Sequence, residues 1–99
     1  MDLQQTFAKA IAKHDAGDFR GAKKLYQRVL KSSPEHPDAL HFMGLALAEN
    51  GEIQKGIGHI LKAIEHQSVF PEAHFNLGNL LRSIGENNAA VRHLLLALR

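Results

Sequence analysis

Apolar residues return along this chain at three- and four-residue intervals in six runs, separated by glycine- or proline-bearing breaks. That period puts them on one side of a 3.6-residue turn and predicts amphipathic helices. The first run, about Leu3 to Ala16, aligns Leu3, Phe7, Ala10, Ile11 and His14. The second, about Phe19 to Ser32, turns Ala22, Leu25, Tyr26, Val29 and Leu30 inward and leaves Arg20, Lys23, Lys24, Arg28 and Lys31 outside. The third, about Pro37 to Asn50, is expected to bury Leu40, Met43, Gly44 and Leu47; the fourth, about Ile53 to Gln67, to bury Ile57, Ile60, Leu61 and Ile64. The fifth opens at Pro71, carries Ala73, Leu77, Gly78 and Leu81, and stops at Gly85. The sixth, from about Asn87, carries Ala90, Val91, Leu94, Ala97 and Leu98.

The breaks have a chemistry of their own. Gly17 can supply a left-handed cap and Asp18 can accept the free amides that open the next helix. Pro37 suits a first helical position, where its missing N–H has no partner to lose. The fourth helix is the soft point, because Gly56 and Gly58 each cost roughly 1 kcal/mol relative to alanine. Burial of its apolar residues returns about 1.5–3 kcal/mol each, so it holds only with neighbours present, and it should show the fastest amide exchange of the internal helices.

A shift of 34 residues lays Pro71 on Pro37, Ala73 on Ala39, Gly78 on Gly44, Leu81 on Leu47, Gly85 on Gly51, Glu86 on Glu52 and His93 on His59. A second shift lays Gly51 on Gly17, Glu52 on Asp18, Gly56 on Ala22, Ile60 on Tyr26 and Ile64 on Leu30. One helical hairpin is therefore written three times, in units of about 3–36, 37–70 and 71–99, the last ending early. The period, the small residues midway along each first helix (Ala10, Gly44, Gly78), the turn glycines and the small residues entering each second helix (Ala22, Gly56, Ala90) resemble the tetratricopeptide repeat family. That resemblance implies an all-α, right-handed α-solenoid of three antiparallel hairpins. Thr6 and Lys9 depart from it, standing where the family prefers large apolar residues. Gly56 replaces alanine, and Ser68 replaces a closing proline.

Composition narrows the function. Ninety-nine residues make one modest core, too small for a catalytic domain with a lid and a cofactor fold. A formal net charge of +2 argues for neither nucleic acid nor an anionic membrane surface. Cysteine is absent, which fits a reducing compartment. No stretch approaches the length of a membrane span, and the opening residues lack the pattern of a secretory leader, so a cytoplasmic chain is expected. No histidine pair has the spacing of a helical zinc site, and no phosphate loop or nucleophile motif is present. No metal or cofactor is expected, and no enzymatic activity.

The resemblance also implies where a partner binds, because the first helix of each unit lines the concave face in such stacks. That groove would present Phe7, Ile11 and His14, then His41, Phe42 and Leu45, then Phe75, Asn76, Asn79 and Arg82, a set suited to a peptide or partner helix. Packing of the phenylalanines between units is the alternative use of the same residues. Co-chaperone members of the family hold a carboxylate tail with lysine, asparagine and arginine; here the matching positions are Phe7, Ile11, Phe42, Glu72 and Asn76, which excludes that ligand. The run Ala73 to Asn79 resembles the repeats of O-linked N-acetylglucosamine transferases, with a single rung, Asn76, of their asparagine ladder. The last helix puts Leu94, Leu95, Leu96 and Leu98 on more than one side. It is expected either to continue into further repeats or a further domain, such as that of a larger glycosyltransferase, methyltransferase or sulfotransferase, or to associate with a second copy.

Overall fold

A computed structural model describes residues 2–99. Six helices follow one another, α1 Leu3–Asp15, α2 Phe19–Ser32, α3 Pro37–Glu49, α4 Ile53–His66, α5 Pro71–Ser83 and α6 Asn87–Ala97, with no strand among the described residues. They form three antiparallel hairpins stacked into a body of 41 × 25 × 18 Å.

Each hairpin turns by the same device. Gly17, Gly51 and Gly85 have φ of 82°, 89° and 84°, a left-handed conformation that costs other residues roughly 1–2 kcal/mol. The next amide then reaches back to the last helical turn: Asp18 to Lys13 at 2.9 Å, Glu52 to Leu47 at 2.8 Å and Glu86 to Leu81 at 2.9 Å. Helix starts are less uniform. Asp2 and Gln5 form a reciprocal capping box on α1. Asp18 caps α2 by accepting from the Gly21 amide at 2.9 Å, and that bond, with Lys13 beside it, lowers its pKa. His36 caps α3, its Nδ1 accepting from the Ala39 amide at 3.1 Å with Pro37 following. Glu52 and Glu86 make no side-chain cap bond to α4 and α6.

Two core clusters lie at the seams between hairpins. The first joins Ala10 of α1, Ala22, Leu25 and Tyr26 of α2, and Met43, Ala46 and Leu47 of α3. The second joins Leu40 of α3, Ile57, Ile60 and Ala63 of α4, and Phe70, Ala73 and Leu77 at α5. Each unit thus leans on its neighbour, as in a one-dimensional stack.

Within the second hairpin, glycine is required by proximity. A Cβ on Gly44 would meet the Gly56 carbonyl oxygen at 2.7 Å, and one on Gly56 would meet the Gly44 carbonyl at 2.5 Å. The glycine at 56 is therefore the means by which α3 and α4 come together. Gly58 has open space around it.

Three expectations about facing are corrected. Leu61 is 46% exposed, because the buried stripe of α4 runs through Gly56, Ile57, Ile60 and Ala63 and Leu61 lies about 100° beyond Ile60. Val91 is also exposed, since it occupies the position of Ile57, which the following hairpin covers in the unit before. Leu3 is 39% exposed at the edge of α1, not buried on its apolar stripe. Thr6, read as a departure, is buried, and its hydroxyl donates to the Asp2 carbonyl at 2.9 Å, so the interior site carries no unmet polar group. Lys9 is exposed at the position where Met43 and Leu77 are buried in the later units.

Candidate functional site

The inner side of the stack follows from which helices meet. α1 touches α3 and α3 touches α5, whereas among the described residues α2 does not reach α4, nor α4 reach α6. First helices converge and second helices splay, so α1, α3 and α5 line the inside of the curve.

On this side a residue meets the one 35 positions later, and it does so three times. The Phe7 and Phe42 rings meet edge to face at 5.8 Å. His14 Nε2 lies 2.9 Å from Glu49 Oε2. Asn76 Nδ2 donates to His41 Nε2 at 2.9 Å. The series runs on to Phe75, which stands one repeat beyond His41 and two beyond Phe7 and is 54% exposed.

The rungs have defined proton positions. Glu49 can only accept, so His14 Nε2–H donates to it; Nδ1 is then free to accept from the Tyr26 hydroxyl at 3.0 Å. Burial holds the Tyr26 phenol protonated far above its ordinary range, and the charges of Asp15 and Glu49 act in the same direction. The order tyrosine, histidine, glutamate has the form of a proton relay, but Tyr26 is wholly buried and offers no atom to a substrate. His41 is buried between Phe42 and Phe70, at ring separations of 5.2 and 5.0 Å. Burial lowers its pKa against the opposing pull of Asp38 and Glu72, which suits its role as a neutral acceptor.

A further histidine pair closes the third hairpin. His74 Nδ1 and His93 Nδ1 are 3.0 Å apart with ring centroids at 5.2 Å, a combination that requires the rings to meet edge to edge across one shared proton. His74 Nε2 donates to the Ser68 carbonyl at 3.1 Å, so its Nδ1 accepts and His93 donates. Burial lowers the His93 pKa, with His74 and Arg92 adding to the effect. Among the described residues no three histidine or carboxylate groups come together to hold a metal.

The predicted groove residues thus divide into two sets. Phe7, Phe42, His14, His41 and Asn76 are engaged with one another across the seams, while Ile11 and Leu45 are half-buried beside the two clusters. Phe75, Asn79 and Arg82 follow one another at helical spacing along α5, with Phe75 and Arg82 exposed and Asn79 half-buried. The predicted leucine strip divides as well. Leu94 packs onto Gly78 inside the hairpin and Leu96 is half-buried. The exposed stripe is Val91, Leu95 and Leu98, at 55%, 60% and 82%. The helical period groups Val91 with Ala90 and Leu94 on one apolar side, so it does not separate this stripe from the hairpin interior.

This arrangement of hairpins is that of a helical repeat protein. The chain belongs to the tetratricopeptide repeat family, whose model matches residues 7–68 and again 43–99. It is 35% identical over 82 residues to human Tetratricopeptide repeat protein 7A, covering 83% of this chain and 10% of that relative. Its fold matches the second TPR of Spaghetti (RPAP3) with a TM-score of 0.90 at 14% identity, over 97% of this chain and 89% of that one. It also matches the O-GlcNAc transferase of Thermobaculum terrenum with a TM-score of 0.92 at 26% identity, over 97% of this chain and 18% of that one. The chain spans about a tenth of the length of the human relative.

Proposed function

We propose that this chain is a non-catalytic protein-interaction module that takes a peptide or a partner helix against the inner face of α5. The supporting observation is the exposure of Phe75 on a side where the other two phenylalanines are already packed. Glu72, Phe75, Asn79 and Arg82 form one line along α5, offering an apolar ring between polar groups of both charges. An apolar side chain laid on Phe75, a backbone carbonyl bonded to Asn79 and an acidic residue facing Arg82 would satisfy that line. The Spaghetti (RPAP3) structure holds an HSP90 peptide, which supports peptide capture as a use of the fold. The acidic tail itself does not suit this chain, since Glu72 repels it and Asn76 is committed to His41. No helix among the described residues is long and apolar enough to cross a membrane. With cysteine absent, the cytoplasm is the compartment we assign.

A peptide array probed with the chain and with Phe75→Ala tests this reading. The variant should lose the captured peptides while keeping its helical circular dichroism and melting temperature. Retention of the same peptides by Phe75→Ala would end it.

A second reading is self-association through α6, favoured by the stripe of Val91, Leu95 and Leu98. The positions that carry Leu77, Leu80 and Leu81 in α5 carry Lys9, Ala12 and Lys13 in α1, so α1 of one copy is too polar to cover α6 of another as α5 covers α4. The dimer this stripe supports joins α6 to α6 about a two-fold axis. Sedimentation of the wild type and of Leu95→Lys decides it: a dimer lost in the variant supports the reading, and a monomer at high concentration rejects it.

A further inference from the structure

We infer that the turn end of the seam between α2 and α3 is an anchor site for a single apolar residue bearing a carboxylate, separate from the α5 surface. A cavity of about 280 Å³ opens there. Its floor is Phe19, Ala46 and Leu47, and its rim is Arg20, Lys23, Asn50 and Glu52.

The cavity is a property of these residues and not of the fold. One repeat later the same positions are Ile57 for Lys23, Leu80 for Ala46 and Ile84 for Asn50, and all three pack into the second core cluster. Where the later seam is filled by aliphatic groups, the earlier one has a small residue, an amide and a cation around an open space.

The rim charges select the ligand. Glu52 is paired with Lys55 at 3.4 Å, while Arg20 and Lys23 pair with no carboxylate among the described residues. Lys23 is half-buried against the cavity instead of standing clear in solvent. Two cations three residues apart on α2, with the Asn50 amide opposite, suit a monoanion held above an apolar floor. Glu52 on the same rim opposes a dianion such as a phosphate. The volume lies just below the range of ligand pockets, roughly 300–1,000 Å³, which suits one side chain and its carboxylate and excludes a nucleotide. Such a group comes either from the last residue of a peptide or from a free branched-chain carboxylate.

Amide chemical-shift titration of the whole chain with three probes tests the site: a tripeptide ending in leucine, its C-terminal amide, and 4-methylpentanoate. The acid should shift Phe19, Lys23, Ala46 and Asn50 saturably, with the amide weaker by about tenfold, the worth of one charge-assisted contact. If 4-methylpentanoate matches the tripeptide acid, the carboxylate is free; if it is much weaker, the peptide end is the ligand, and either result supports the site. The double variant Ala46→Leu, Asn50→Ile, which copies the filled seam, should abolish the shifts at unchanged or higher melting temperature. Should that variant misfold, Lys23→Gln supplies the same comparison with loss of preference for acid over amide. Equal midpoints for acid and amide, undiminished binding by a folded cavity-filled variant, or no saturable shift at about 10 mM would overturn the inference.

Discussion

The two seams of this stack are laid out by one repeat and closed by different chemistry. Where α1 and α2 meet α3 the contacts include rings and polar groups: Phe7, Tyr26 and Phe42 meet ring to ring, His14 links Tyr26 to Glu49, and a cavity remains beside Lys23. At the next seam His41 still meets Asn76 and Phe70, but the space equivalent to the cavity is filled by aliphatic groups, Ile53, Ile57, Leu80 and Ile84. The frame decides where helices meet, and individual substitutions decide whether the meeting is complete. Places where it is incomplete, at the first seam and at the exposed Phe75, are where the proposed ligand and partner would be accepted.

The largest effect should come from the aliphatic seam. Ile60 is fully buried, so Ile60→Ala should cost about 2–5 kcal/mol in urea denaturation. Its neighbour Leu61, turned outward, should cost within about 0.5 kcal/mol on the same change. Equal costs would mean that α4 is rotated from the orientation described.

Next is the close approach of α3 and α4. Gly44→Ala forces a methyl group against the Gly56 carbonyl and Ile60 and should cost about 1–3 kcal/mol by thermal melting. Gly58→Ala, with nothing near it, should stabilise by about 0.5–1 kcal/mol. The same sign for both would deny that one glycine is there for contact and the other is not.

The polar seam should respond more weakly. Tyr26→Phe removes the hydroxyl that meets His14 while keeping the ring, and a loss of about 0.5–1.5 kcal/mol is expected in denaturant titration. No loss would mean that ring packing alone closes this seam.

The smallest effect is in pH dependence. Burial holds the His41 pKa below its ordinary 6.5, so between the lowered value and 6.5 the unfolded chain binds a proton that the folded chain does not. Stability should therefore fall as pH drops below about 6.5 and level off once the folded group also protonates. His93 contributes with the same sign. The slope should shrink in His41→Gln, whose amide oxygen can accept from Asn76, and an unchanged slope would remove His41 from the explanation.

Much of this architecture was legible before any coordinates. Periodicity located all six helices to within a residue or two, and the three glycines marked the turns because no other residue takes a positive φ there at comparable cost. What escaped were choices between two apolar surroundings. Val91 and Leu94 both lie on the apolar side of α6, yet one faces the hairpin partner and the other faces outward beyond it. A helical period cannot separate those directions without the neighbouring helix in place. Contacts 35 residues apart were also hidden, since His41 and Asn76 look like solvent-facing groove residues until α3 and α5 are set side by side. Phe75 belongs to the same expected groove set as Phe7 and Phe42, and only the packed arrangement separates it from them, the two earlier rings meeting each other while Phe75 is exposed.

The decisive measurement is amide chemical-shift mapping on the whole chain with one peptide recovered from the array. Shifts concentrated at Phe75, Asn79 and Arg82, and absent in Phe75→Ala, are the result expected if the inner face of α5 is the binding surface. Shifts confined to α2, α4 or α6, with Phe75 unmoved, would contradict it.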